Sequence, residues 1–170
     1  MKPPVKSLNS AWRIRPDTRA DAKDIDAIND AAFGETAQSQ IIRELRASGD
    51  ALWSKIGLLD EQAIAHVQIY RILVNGAPIA IGLGPVSVLP AFQKQGYGSA
   101  LIRACLAEVE ISRHKLAFVL GHVDYYPRFG FRSEIGAKFI SPWPRPAFMG
   151  MRLSEDAPLS GTLTFPQAYL

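Results

Sequence analysis

The chain has 170 residues, enough for one domain with its own buried core and no need of a disulfide or metal staple. Its 48% hydrophobic and 21% charged residues are those of a globular protein, and a net charge of +3 from scattered Lys and Arg argues against a nucleic-acid binder. No apolar run reaches the ~20 residues of a membrane helix, and the lone Cys105 cannot form an intrachain disulfide, so a reducing, cytoplasmic setting is expected.

Met1 to Ser10 is basic and lacks an apolar signal core, so residues 1–10 read as a flexible leader and residues 11–170 as a single domain. Trp12 to Arg15 alternates apolar and polar residues ahead of Pro16, the pattern of a first strand. A helix is expected over Asp21 to Phe33, with Asp21 as N-cap, Ala22, Ile25, Ile28 and Ala32 as its apolar stripe and Gly34 as its stop. A second spans Glu35 to Ala47 and stops at Ser48-Gly49.

Strands follow over Ala51 to Leu59 and Ala63 to Val74, around the turn Asp60-Glu61-Gln62. Asn75-Gly76 suits a hairpin turn, since both positions tolerate positive φ, and it leads into a strand over Ile79 to Val88. Gly82, Gly84 and Pro85 interrupt that strand, as at a bulge. A helix over Gly98 to Ser112 carries Leu101, Ala104, Cys105 and Val109 on one face, and the short apolar strand Lys115 to Gly121 should pair parallel to Ile79–Val88. An aromatic segment, Tyr125 to Phe131, a Pro- and Trp-rich loop, Ser141 to Pro146, and a last strand, Ala147 to Leu153, come next; the tail from Ser154 is ambiguous.

The chemistry concentrates at Gln93-Lys94-Gln95-Gly96-Tyr97-Gly98, between a β-branched strand end and a helix start. Backbone N–H groups at a helix start point outward unpaired, and the helix dipole favours an anion there. Glycines at 96 and 98 let a bulky phosphate group approach the backbone, while Lys94 adds a charge and Ser99 a hydroxyl. A P-loop pattern is absent, and the dinucleotide fingerprint fails, since its third glycine would be Leu101 or Ser87. The pattern that fits is Gln/Arg-x-x-Gly-x-Gly/Ala.

With that turn, the Val86-Ser87-Val88 strand end and Tyr-x-x-x-Gly-Phe at Tyr126 to Phe131, the chain resembles the GNAT superfamily of acyl-CoA-dependent N-acetyltransferases over nearly its whole length. The segments Leu83 to Pro90 and Tyr125 to Phe131 look most like its YhbS-like branch. The resemblance implies an α/β GNAT fold, a mixed and strongly bent sheet with helices on both faces. It implies acetyl-CoA as cosubstrate, its pyrophosphate on Gln93, Lys94, Gln95, Gly96, Tyr97, Gly98 and Ser99 and its pantetheine arm along Val86, Ser87 and Val88. It further implies transfer to a primary amine by direct attack in a ternary complex, with Val88 N–H donating to the thioester carbonyl and Tyr126 as general acid.

Two features depart from the family pattern. The strand Ile79 to Val88 carries no glutamate to act as base, and Val119 stands where many relatives have an asparagine that bonds the cofactor. His122 and Asp124 are the titratable residues nearest in sequence and the candidate bases, and a chain of water molecules is the alternative. His66, in a strand, and His114, at a helix end, read as structural, and Cys105 as a buried, inert thiol. No His/Cys/Asp spacing suggests a metal. The departures also leave open an acyl-CoA-binding regulatory or partner-binding module with little catalysis. A small-molecule or peptide amine is the expected partner, with Glu35 and Glu44 as acidic groups near its path, and the protein is expected to be a monomer or homodimer.

Overall fold

A computed structural model describes residues 11–170; the expected leader, residues 1–10, lies outside the described residues. In chain order the main elements are β1 (Trp12–Pro16), α1 (Ala22–Phe33), α2 (Ala37–Ser48), β2 (Ala51–Leu59), β3 (Gln62–Val74), β4 (Ala77–Val88), α3 (Tyr97–Ile111), β5 (Leu116–Leu120), α4 (Ser133–Gly136), β6 (Phe139–Ile140), β7 (Phe148–Arg152) and β8 (Gly161–Thr164). The sheet runs β1-β2-β3-β4-β5-β7. Within that run every pair is antiparallel except β4 and β5, which are parallel as the strand–helix–strand spacing predicts.

Alternation along β3 sorts the two faces. Val67 and Ile69 join Ile81 and Leu83 of β4 against Leu101, Ile102, Cys105 and Val109 of α3 in one cluster. From His66 onward the even-numbered residues of β3 point the other way. There His66 meets Asn29 of α1 and Gln68 meets Arg46 of α2, so the helix pair covers the face opposite α3. The apolar face of α3 is wider than the predicted stripe: Ile102 and Leu106 are buried too, and Ala104 lies at its edge.

The bulge expected from Gly84-Pro85 lies in β4. Val67 pairs with Val86 and Ile69 with Leu83, so three steps along β4 match two along β3. One extra residue reverses the side-chain alternation. Ile81 and Leu83 above the bulge and Val86 and Val88 below it therefore share the α3 face, while Ser87 turns to the α1 face. Asn75 and Gly76 both take positive φ, 49° and 83°, as the hairpin requires.

Several details differ from the sequence reading, and β4 starts at Ala77, two residues before the predicted Ile79. Asp21 does not cap α1 with its side chain; it closes a short 3-10 turn, where its carboxylate accepts Thr18 N–H at 2.8 Å and both Arg15 NH groups at 2.7 and 2.8 Å. Helix α2 starts at Ala37, two residues later than predicted. The tail from Ser154 is not past the last strand: β8 pairs with the end of β3 and with β6. Its four residues bury Leu163 as their one core side chain, too little for a visible period, and Asn75 fastens it by accepting Thr162 N–H at 2.9 Å.

Candidate active site

Strands β4 and β5 stay together for three pairs, ending at Gly82–Phe118. Beyond that point β4 keeps only β3 beside it and β5 keeps only β7, so the parallel pair opens into a V. Leu89 N–H bonds Ile64 O at 2.8 Å, toward β3. By alternation the N–H and C=O groups of Val88 and Val86 face away from β3, into the opening. Gln93 Nε2 donates to Val88 O at 2.9 Å, which pins the glycine turn to the strand end. The Val86 pair and Val88 N–H remain turned toward the V.

The turn itself climbs into α3 through two positive-φ residues, Lys94 at 60° and Gly96 at 91°. Gly96 is the left-handed residue directly before the helix, a conformation glycine adopts without strain. A Cβ at Gly96 would meet nothing within 4 Å, so the space above it is open. At Gly98 an added carbon would touch Val88 Cγ2 at 3.5 Å. The helix N-terminus thus faces a concave space, as an anion cradle must.

That space is a cavity of about 720 Å³. Val86, Val88, Gln93, Lys94, Gly96, Tyr97, Gly98 and Ser99 line one side of it, and His122, Asp124 and Tyr126 the other. Two of the expected contacts fall outside the lining. Ser87 is buried on the opposite face, its hydroxyl donating to Asn29 Oδ1 at 3.0 Å, and the Gln95 amide reaches back to Ala91 O at 3.3 Å. Tyr125 and Arg128 belong to the lining as well. Tyr125 OH and Ser99 Oγ are 2.8 Å apart, and the Arg128 guanidinium lies 4.4 Å over the Tyr125 ring, a second cation beside the cradle. Both belong to the run Tyr125-Tyr126-Pro127-Arg128-Phe129, whose single cation among aromatic residues was the signal for them.

Tyr126 is held by rings. Its centroid lies 5.1 Å from Tyr125 and 6.1 Å from Phe131, both edge-on, and Gly121 lies against it: an added Cβ there would stand 2.3 Å from Tyr126 Cε2. Burial, with the neighbouring Tyr125, pushes the Tyr126 phenol up to about 12, so it keeps its proton at neutral pH. A second cavity of about 500 Å³ lies on the other side of this ring, and Val86, His122 and Tyr126 line both. To nearby strand residues such as Tyr70, Leu83 and Leu120 it adds wall from distant parts of the chain: Phe33, Gln38 and Ile41 near the α1–α2 turn, Trp143 in the Pro-rich loop and Tyr169 in the tail. Glu35 and Glu44 are exposed and are not part of that wall.

Behind the strand end lies a buried polar chain. Asn29 accepts from Ser87, donates to Ile25 O at 2.9 Å and faces His66 Nδ1 at 3.4 Å. The Asn29 amide is a donor there, so Nδ1 accepts and the neutral ring carries its proton on Nε2, 3.7 Å from Asp17 Oδ2. Burial pushes the His66 imidazole down, against the pull of Asp17. Burial would raise Asp17, yet the His66 ring, the Ser54 hydroxyl and Arg46 hold it well below the usual carboxylate range. His66 is therefore structural, as the sequence suggested, and it braces the strand that borders the cavity.

Residues 54–133 match the acetyltransferase (GNAT) domain family. The chain is 31% identical over 134 residues to the uncharacterized N-acetyltransferase YjhQ of Escherichia coli K12, covering 75% of this chain and 74% of that one. It is 28% identical to YhbS of the same strain, over 85% and 89%. Among solved structures, E. coli YhbS in complex with CoA superposes with a TM-score of 0.87 at 25% identity, covering 97% of this chain and 95% of that one. A GNAT family acetyltransferase from Brucella melitensis in complex with acetyl-CoA gives 0.82 at 30% identity, over 94% and 99%.

Proposed function

The chain belongs to the GNAT family of N-acetyltransferases, and on that premise we propose that it moves the acetyl group of acetyl-CoA to a primary amine by direct attack, with both substrates bound at once. The observation that carries this reading is the wall of Val86, His122 and Tyr126 shared by two cavities, one with an anion cradle and one without. Acetyl-CoA supplies the activated thioester. The N–H groups from Gln95 to Ser99, with Lys94 and Arg128, suit its pyrophosphate, and the free N–H and C=O of Val86 suit the amides of its pantetheine arm, leaving Val88 N–H for the thioester. The open space over Gly96 and the V between β4 and β5 leave room for both.

In this reading the amine nitrogen forms its C–N bond as the C–S bond breaks. Val88 N–H donates to the carbonyl oxygen as charge builds there. His122, which borders both cavities, takes the proton that the nitrogen sheds; Asp124 lines only the cradle side and is placed second. Tyr126 delivers a proton to the departing sulfur, and solvent in the cleft carries the His122 proton back to it. The Tyr126 phenol, pushed up to about 12 by burial, holds its proton until a strongly basic thiolate forms beside it. No side chain in either lining is a thiol, so a covalent cysteine intermediate has no candidate there. The inert, reduced Cys105 suits a cytoplasmic protein, and no helix among the described residues is long and apolar enough to cross a membrane.

The test is release of CoA thiol from acetyl-CoA in the presence of small amines, polyamines, amino acids and peptides. Tyr126→Phe is expected to lower kcat by about 100-fold or more with CoA affinity unchanged. Unaltered turnover would remove Tyr126 as the acid. Tight acetyl-CoA binding with no acetylated amine would leave a binding module in place of a transferase.

A further inference from the structure

The second cavity has a composition that says what kind of amine enters it. Apolar and aromatic side chains, Phe33, Ile41, Leu83, Leu120, Trp143 and Tyr169 among them, make most of its wall, and among the described residues that line it there is no Asp, Glu, Lys or Arg. Its polar side-chain groups are Gln38, His122, the Trp143 indole N–H and tyrosine hydroxyls. One of these is already engaged: Tyr169 OH donates to Gly84 O at 3.1 Å. Phe33 and Leu120 are 44% and 45% exposed, a degree of apolar exposure that fits a surface covered when a ligand arrives.

We infer that, on the transferase reading above, the acceptor is an arylalkylamine: a primary amine on a short chain that ends in an aromatic ring, with no second charge. Three physical points converge on this class. The cavity is continuous with the donor cleft through Val86, His122 and Tyr126, so a ligand seated in it presents one end to the thioester and leaves the other against the aromatic wall. A ring buried among Phe33, Trp143 and Tyr169 leaves water and packs against other rings, both favourable. A polyamine or a lysine-rich peptide would bring further ammonium groups into a wall that offers no carboxylate to pair with, and an unpaired buried charge is costly.

The same wall bears on the missing strand carboxylate. An amine drawn into uncharged, apolar surroundings has its pKa lowered. Desolvation then does part of the deprotonation that a strand glutamate would otherwise do, and a modest base such as His122 suffices.

The experiment is a comparison of kcat/KM for phenethylamine and tryptamine against spermidine and a lysine peptide, with acetyl-CoA saturating. The aromatic amines are expected to lead by about 100-fold or more. Phe33→Ala, at an exposed helix end, should raise KM for phenethylamine by about 10-fold with acetyl-CoA affinity unchanged by calorimetry. Gln38→Glu, which adds a carboxylate at nearly constant size, should shift the spermidine-to-phenethylamine ratio upward by about 10-fold. Equal or better use of spermidine, or a ratio that Gln38→Glu leaves where it was, overturns the assignment while acetyl transfer stands. No turnover with any amine, acetyl-CoA still binding, overturns the transfer reading and the acceptor class with it.

Discussion

Gly121→Ala places the role of Tyr126 at risk with a single methyl group. Gly121 follows β5, and its φ lies outside the left-handed region, so alanine fits the backbone there. The difficulty is entirely the ring: the new Cβ would stand 2.3 Å from Tyr126 Cε2 and 2.9 Å from Cδ2, the first more than about 1 Å inside ordinary carbon contact of about 3.5–4.0 Å. Tyr125 and Phe131 stand edge-on to that ring, so it has to move toward the cavities. Overpacking of this kind costs about 1–3 kcal/mol of stability. A displacement of about 1 Å at a reacting group costs about 100-fold in rate. The expected result is a kcat lowered about 100-fold, with CoA affinity within a few-fold of wild type by calorimetry. The decisive arm is the double variant. If the methyl acts through the Tyr126 hydroxyl, Gly121→Ala adds little once Tyr126→Phe has removed that hydroxyl. A full further loss in the Tyr126→Phe background, or a wild-type kcat in the single variant, refutes the reasoning.

Gly96→Val forces a branched side chain into φ 91° and into the open space above the helix start; CoA affinity by calorimetry should fall by at least about 10-fold, and an unchanged value removes the cradle assignment. Ser87→Ala takes a donor from buried Asn29 Oδ1, and should cost about 1–3 kcal/mol and lower Tm by about 3–10 °C while KM for acetyl-CoA holds. Stability should decline as pH falls below ~6.5. Burial depresses the folded-state pKa of both His66 and His114, so the unfolded chain takes up protons there that the folded chain refuses. A further loss should follow below ~4, where unfolded carboxylates take up protons, as Asp17 is also held low and Asp21 is held at about 2, chiefly by its Arg15 hydrogen bond. Chemical denaturation across pH 3–8 checks both stages, and a flat profile from pH 7 to 5 contradicts the histidine part.

The cradle side of the candidate site was legible as geometry because it is local. Gln93 to Gly98 combines an unusual backbone requirement with a helix start, and Gly84-Pro85 breaks a period-2 pattern where the strand really does bulge. Tyr126 carried a signal through its spacing to Gly130 and Phe131. The wall of the second cavity was not legible residue by residue, because Phe33, Tyr70, Trp143 and Tyr169 meet only after the tail has crossed back over the sheet. Nothing at its own position ties Tyr70 or Tyr169 to that wall. Gly121 was silent for a related reason: its need is set by a ring five residues on, and nothing in φ reveals it. The acidic Glu35 and Glu44 drew attention by charge, yet the wall near them is built from their apolar neighbours.

The extra residue in β4 gives the strand two independent phases. Above Leu83 the alternation answers to the core under α3, and below Val86 it answers to the cleft and to the Asn29–His66 chain. Loss of Gly84 or Pro85 would therefore act as a frameshift in space. Val86 and Val88 would turn onto the polar chain, Ser87 would turn toward the cleft, and the backbone edge now free for a ligand would rotate against β3. A point substitution in this strand changes one contact, whereas a one-residue deletion exchanges the inside and outside of the whole strand end. Natural and engineered length variation in this fold should accordingly collect in its turns and tail, and leave Leu83 to Val88 at a fixed count.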